Sequence, residues 1–220
     1  AWPFIAASML IHFAYYVTLA GAYRRGDLSF AYPLMRGVAP LLVTLLGVVL
    51  LGERPSASML SGIALISLGI VVIAWFASGR HTPAAAGWAL ANAALIAAYT
   101  LVDGAGVRVS GNAVSYVVWL CALEGLPFVA WVLLRHGDGG GAYLRRRWRR
   151  GIAGGAASVA AYGIALWAMT RAPVAVVAAL REVSVLFAAL IGAFVLKEGF
   201  GWRRMAGAAV VVAGVAALKL

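Results

Sequence analysis

The amino-acid sequence predicts an all-α fold, a polytopic bundle of transmembrane helices, on three observations. Hydrophobic residues fill 64% of the 220 positions and charged residues 11%, with a mean hydropathy of +0.95. An ordinary soluble domain is nearer half apolar and a quarter charged. The apolar residues come in runs of about 20 without strict alternation, the length of a helix crossing a bilayer. The chain also repeats itself, which gives the runs a common plan. In hydrocarbon every backbone N–H and C=O needs an internal partner, so a chain of this composition spans as helices or as a closed barrel, and the run length selects helices.

Eight spans are expected, at roughly 3–23, 28–51, 56–77, 84–103, 112–134, 151–170, 173–196 and 202–219. Arg24-Arg25-Gly26-Asp27 closes the first. Glu53-Arg54-Pro55-Ser56 closes the second, with Ser56 or Ser58 as N-cap of the third. Ser78-Gly79-Arg80-His81-Thr82-Pro83 closes the third, and Ser110-Gly111-Asn112 separates the fourth from the fifth. Residues 135–150 read as the longest loop, with Gly137, Gly139, Gly140 and Gly141 followed by Arg145-Arg146-Arg147-Trp148-Arg149-Arg150.

A shift of 145 residues lays 6–74 over 151–219 without a gap. Arg36 falls on Arg181, Gly47 on Gly192, Glu53 on Glu198, Gly62 on Gly207 and Gly69 on Gly214, and ten of the 34 positions in 36–69 match those in 181–214. Residues 1–78 are therefore read as the last three helices of one repeat and 84–220 as a full five-helix repeat. Because the chain starts at Ala1 rather than Met, it is expected to be a fragment of a ten-helix protein lacking two helices at the front. Two sets of five enter the membrane in opposite senses, the inverted-repeat plan of secondary transporters.

The blocks Ala31-Tyr32-Pro33-Leu34-Met35-Arg36-Gly37-Val38-Ala39-Pro40, Leu51-Gly52-Glu53-Arg54, and Leu180-Arg181-Glu182-Val183-Ser184-Val185-Leu186-Phe187 running to Leu196-Lys197-Glu198, each followed by a helix with paired glycines, resemble the EamA-type family of the drug/metabolite transporter superfamily. The resemblance covers essentially the whole chain. It implies a ten-helix inverted repeat that moves amino acids, related metabolites or drugs, often outward. It also implies that part of the cavity wall belongs to the two absent helices.

The candidate binding residues are the polar and aromatic groups that interrupt apolar runs. Arg36 and Arg181 each lie about nine residues into a helix, roughly 13 Å deep. A charge there costs roughly 2.5 kcal/mol or more and belongs on the bundle interior. They are read as a cationic pair for a substrate carboxylate or phosphate, or else as structural ion pairs or snorkelling side chains. Glu182 either takes up a proton during transport or forms a permanent salt bridge to Arg36 or another cation. Glu124 has the same two readings, and Asp103, near the end of its span, reads as interfacial. Tyr16, Tyr99, Tyr116, Trp119, Tyr162 and Trp167 lie inside helices, where a phenol or indole needs a polar partner, and with His12 they are candidate cavity lining. His12 and Asn92 also read as satisfied buried polar groups. Trp2, Trp75, Trp131 and Trp202 fit interfacial belts.

Glu53 and Glu198 end their helices and are read as gate contacts, or as residues that cap the next helix or pair with Arg54 or Lys197. Pro33 and Pro40 free backbone carbonyls inside the second helix and permit a kink. The seven-residue spacing of Gly62 and Gly69, and of Gly207 and Gly214, makes a flat face for close helix approach.

Several classes are excluded. No HExxH, GxSxG, P-loop or dinucleotide fingerprint occurs, so neither an enzyme nor an ATP-driven pump is expected, and no cofactor. A lone Cys121 rules out disulfides within the chain and a cysteine metal cluster. The net charge of +11 resides in loops, where it signals topology and lipid contact rather than nucleic acid. The expected partners are a small-molecule substrate, membrane lipid and a coupling proton, in a monomer or homodimer of a bacterial inner membrane. Alternate loops hold 12 and four of the 18 basic residues. The positive-inside rule puts the richer set, with Arg24 and Arg25, in the cytoplasm, and the family's topology requires the reverse. The leading functional expectation is a secondary exporter of carboxylate-bearing metabolites. A carrier of phosphorylated or phosphonate compounds and a non-transporting membrane scaffold or receptor are the alternatives.

Overall fold

The computed structural model describes residues 1–76, 82–187 and 202–218, with backbone alone at 128, 131, 132, 136–140, 142–144 and 204. Among the described residues there is no strand. The helices are α1 (Trp2–Arg25), α2 (Leu28–Leu50), α3 (Ala57–Trp75), α4 (Pro83–Ser110), α5 (Ala113–Met169), α6 (Val174–Arg181) and α7 (Trp202–Ala217). The first four, and the Arg145–Met169 part of α5, are long and apolar enough to cross a bilayer. Trp2, Trp75 and Trp202 are exposed near helix ends. Glu198, Lys197 and Gly192 lie outside the described residues.

The ends follow local chemistry. Ser56 accepts from the Met59 amide and caps α3, and Asn112 does the same for α5 through Ser115. Gly52 and Gly111 turn the chain with φ of 66° and 67°, which a side chain would resist. Thr82 accepts from the Ala85 amide at the start of α4 and donates to the Arg25 carbonyl at the end of α1.

Three sequence expectations need correction. Residues 135–150, expected as a loop, keep local helical bonding, and α5 carries that bonding from Ala113 to Met169. It is not one rod, because a Cβ on Gly163 would lie 3.8 Å from the Val117 side chain, positions that a straight helix would hold about 70 Å apart. The run therefore comprises two limbs that double back, matching the expected pair of spans. Second, α4 continues past Asp103 to Ser110. Third, the expected helix over 173–196 is interrupted after Arg181, with turns at Glu182 and Val183 before helix resumes at 184–187.

The chain packs as two compact units that interleave in sequence. Unit 1 comprises residues 1–10 and 102–171. There the Trp2 and Trp119 rings meet edge to face at 5.3 Å, and Arg108 Nε donates to the Met169 carbonyl, fastening the end of α4 to the end of α5. Unit 2 comprises residues 11–101 and 172–220. There α2 packs on α3 and α6, and α3 on α7.

The α3–α7 contact is made by the paired glycines. A Cβ on Gly62 would fall 2.8 Å from the Gly214 carbonyl, and one on Gly69 2.6 Å from that of Gly207. A Cβ on Gly207 or Gly214 would meet Gly69 or Gly62 at 2.8 Å in return. Only bare backbone allows this approach. Numbering falls along α7 as it rises along α3, so the two helices are antiparallel. Each glycine touches the repeat-mate of the other, the exchange of contacts that a twofold axis produces.

Candidate functional site

The ion pair anticipated between Glu182 and Arg36 is present in unit 2, with Arg36 Nε 2.5 Å from Glu182 Oε2. Arg36 lies in α2, and Glu182 is the C-cap of α6 and only 3% exposed. The backbone around the carboxylate is unusual for a span. The amides of Glu182, Val183, Val185 and Leu186 all donate to the carbonyl three residues back. Such tightening inside a helix marks strain or a hinge, and at membrane depth broken helix is tolerated where protein or a cavity surrounds it. Arg181 is half-buried and also acts electrostatically on Glu182.

The repeat aligns the two arginines but not the carboxylate, for Glu182 falls on Gly37. The structure supplies the reason. A Cβ on Gly37 would lie 3.0 Å from Val71 and 3.2 Å from both Ile70 and the Ser67 carbonyl, so this position is used for packing α2 against α3. Pro33 and Pro40 lie within a helix that continues through both. Pro40 has no N–H to offer the Arg36 carbonyl four residues earlier. Thr44 donates to the Pro40 carbonyl at 2.7 Å.

Aromatic rings surround the pair. Tyr32, one turn before Arg36, places its ring 5.9 Å from the guanidinium carbon, and Tyr15, Tyr23 and Tyr99 lie within electrostatic reach of that group. Tyr99 stacks on His12 at 4.2 Å and meets Tyr15 edge to face at 5.8 Å. Asn92, two turns before Tyr99, donates to the Tyr15 carbonyl and to Thr18 Oγ1, which holds α4 and α1 in that register. Tyr16 packs on Tyr15 but is about half exposed. Glu53 does not cap the helix that follows it. Its Oε1 accepts from the Val174 amide at 2.7 Å and Oε2 from Ala175 at 3.4 Å, so it caps α6, the helix that ends at Arg181.

Unit 1 contains a polar centre that sequence reasoning missed. Asp103 is fully buried rather than interfacial, because α4 runs seven residues beyond it. Tyr116 donates to its Oδ1 at 2.9 Å and Tyr162 to its Oδ2 at 2.5 Å. Two candidate tyrosines thus serve one carboxylate, and their need for partners was the available signal. A Cβ on Gly106, one turn on from Asp103, would lie 2.5 Å from the Tyr116 hydroxyl, so the bare backbone there makes room for the phenol. Glu124, partly buried, acts electrostatically on Tyr116 and Cys121. Trp119 and Trp167 are about half exposed, and Trp167 stacks beneath the Arg171 guanidinium at 4.1 Å. Among the described residues no group of His, Cys, Asp and Glu is arranged to hold a metal ion.

Comparison with known proteins bears on the fold and on its use. A solved structure described only as a crystal structure of a protein matches all of this chain and 78% of its own, with a TM-score of 0.72 at 19% identity. That likeness concerns the fold alone. No curated protein matches the chain. The EamA-like transporter family matches residues 83–220, which hold Asp103, Tyr116, Tyr162, Arg181 and Glu182. That is more than half of the sequence: the chain belongs to the EamA-like transporter family, part of the drug/metabolite transporter superfamily.

Proposed function

We infer that this membrane transporter moves small carboxylate-bearing metabolites of the amino-acid kind out of the cell, by alternating access between two inverted repeats, residues 1–78 and 84–220. The observation that carries the reading is the Arg36–Glu182 pair at the interruption that follows α6, with tyrosines around it. A substrate carboxylate has the charge and the planar acceptor geometry of the Glu182 side chain, so it competes with Glu182 for Arg36. The displaced Glu182 carboxylate is then uncompensated in a medium that penalises charge and takes up a proton from the aqueous side open at that moment. Glu182 then gives that proton up to water, and its restored carboxylate returns to Arg36 and expels the substrate. Such an exchange links loading to protonation, with the proton as the coupling ion. The antiparallel crossing of α3 and α7 through their paired glycines is the contact about which one repeat would rock against the other.

Pairing of deep charges by itself suits a static scaffold equally well. Family membership and the broken helix at the carboxylate favour transport. Proteoliposome uptake of a radiolabelled amino-acid panel tests the reading, with phosphonate analogues as competitors. Arg36→Gln and Arg181→Ala are each expected to lower uptake about tenfold or more, the loss of one charge-assisted hydrogen bond. Stronger competition by phosphonates than by amino acids moves the substrate class to phosphorylated compounds. Uptake indifferent to neutralising both arginines defeats the proposal.

A further inference from the structure

Unit 1 holds a cavity of about 440 Å³ where α4 ends and α5 begins. Arg108, Asn112, Thr170 and Arg171 are its polar lining, and among the described residues no acidic one lines it. Arg108 is fixed on the wall by its Nε bond to the Met169 carbonyl, 2.8 Å long. Arg171 is spread over the Trp167 ring. The first turn of α5 borders the same space, and a helix start adds positive potential. These groups sit at the ends of two membrane spans, the level of lipid headgroups.

A second space, about 430 Å³, borders the first. The two share Ala113, Val114 and Trp167. Beyond these it is lined only by apolar or small residues, among them Val117, Val118, Val159, Ala160 and Ile164, so it is a trough between the limbs of α5. It follows the second limb for about 12 Å into the hydrocarbon.

A cationic chamber at the membrane surface that continues into an apolar trough has the charge and the shape of one ligand. We propose that this is a binding site for an anionic phospholipid, with the phosphate between Arg108 and Arg171 and one acyl chain in the trough between the α5 limbs. A free phosphate uses the chamber but leaves the trough empty, and a zwitterionic lipid fills the trough but adds a positive choline beside two guanidiniums. Trp167, flat against Arg171 and bordering both spaces, marks the boundary between headgroup and chain. The site is independent of the substrate assigned above.

Native mass spectrometry of the full chain, given equal amounts of dioleoyl phosphatidylglycerol and dioleoyl phosphatidylcholine, tests the site. Each arginine is expected to favour the anionic lipid about fivefold. Arg171→Gln is expected to reduce the preference by that factor. Ala160→Trp, an exposed position that tolerates a larger side chain, is expected to lower retention of both lipids without changing their ratio. Inorganic phosphate in large excess is expected to leave the phosphatidylglycerol adduct in place. Equal retention of the two lipids by the unmodified chain overturns the proposal. So does an unchanged preference in Arg171→Gln, undiminished retention in Ala160→Trp, or displacement of the lipid by phosphate.

Discussion

At the scale of single residues, the buried charges divide into those whose purpose is visible from composition and those that need coordinates. Arg36 stands out because an arginine deep in an apolar run needs a partner, a ligand or a route for its side chain to the interface. Asp103 does not, since Asp-Gly at 103–104 has the look of a helix end. The helix continues there because the carboxylate is satisfied from the side, by Tyr116 and Tyr162. That arrangement sets a measurable expectation. Tyr162→Phe removes one donor from a buried carboxylate oxygen, a loss of about 2 kcal/mol. The detergent-solubilised protein should melt several degrees lower, since for a chain of this size about 1 kcal/mol corresponds to roughly 2–4 °C. Asp103→Asn in the same background should recover part of the loss, because a neutral amide is cheaper to leave short of a partner than a carboxylate. A Tyr162→Phe variant that melts with the parent would show that the short contact contributes nothing.

At the scale of elements, run length and punctuation were enough to place α1, α2 and α3 within a few residues, for each is a single apolar stretch ended by Gly, Pro or charge. They were not enough for α5 or α6. Glycines 137 and 139–141 and the arginines after them read as loop, yet the backbone there keeps helical bonding, because arginine is a good helix former and each glycine weakens a helix by about 1 kcal/mol without forbidding it. The break after Arg181 was hidden for the opposite reason: nothing in Leu-Arg-Glu-Val-Ser-Val disfavours helix, and the interruption goes with Glu182 turning to Arg36 on another element. Glu53 was recognised as a helix-end residue, but its target, α6, lies 121 residues away. The glycine pairs were the most readable elements of all, since their spacing and their recurrence both came from the sequence. Their geometry gives a sharp expectation. Gly69→Leu must push α7 away, because even a Cβ would sit 2.6 Å from a backbone carbonyl that cannot yield cheaply. Overpacking of this kind costs about 1–3 kcal/mol or more. Gly87→Leu, where a Cβ meets nothing within 4 Å, should be neutral. Comparable melting temperatures for the two variants would contradict the tight α3–α7 crossing.

At the scale of the molecule, the contacts within unit 2 fix which helix ends share a membrane face, and this can be tested without knowing the substrate. Thr82 bonds to Arg25 and Arg203 lies over Phe76, so the ends of α1 and α3 and the starts of α4 and α7 lie on one face. Glu53 caps α6 and Gly62 meets Gly214, so the start of α3, the start of α6 and the end of α7 lie on the other. Leu28 and Ala57, the exposed first residues of α2 and α3, therefore stand on opposite faces. In a Cys121→Ser background, Leu28→Cys and Ala57→Cys carry no change of charge and report the two faces separately. The basic residues Arg24, Arg25 and Arg203 flank the Leu28 face, so the positive-inside rule places it in the cytoplasm. A membrane-impermeant maleimide should then label Ala57→Cys in intact cells and Leu28→Cys only after permeabilisation. The mirror result would assign the family's usual orientation and leave the antiparallel frame standing, with the charge bias overruled by the helices that insert first. Labelling of both positions from one side is the result the fold cannot accommodate, because a single apolar helix of 23 residues, α2, separates one face from the other.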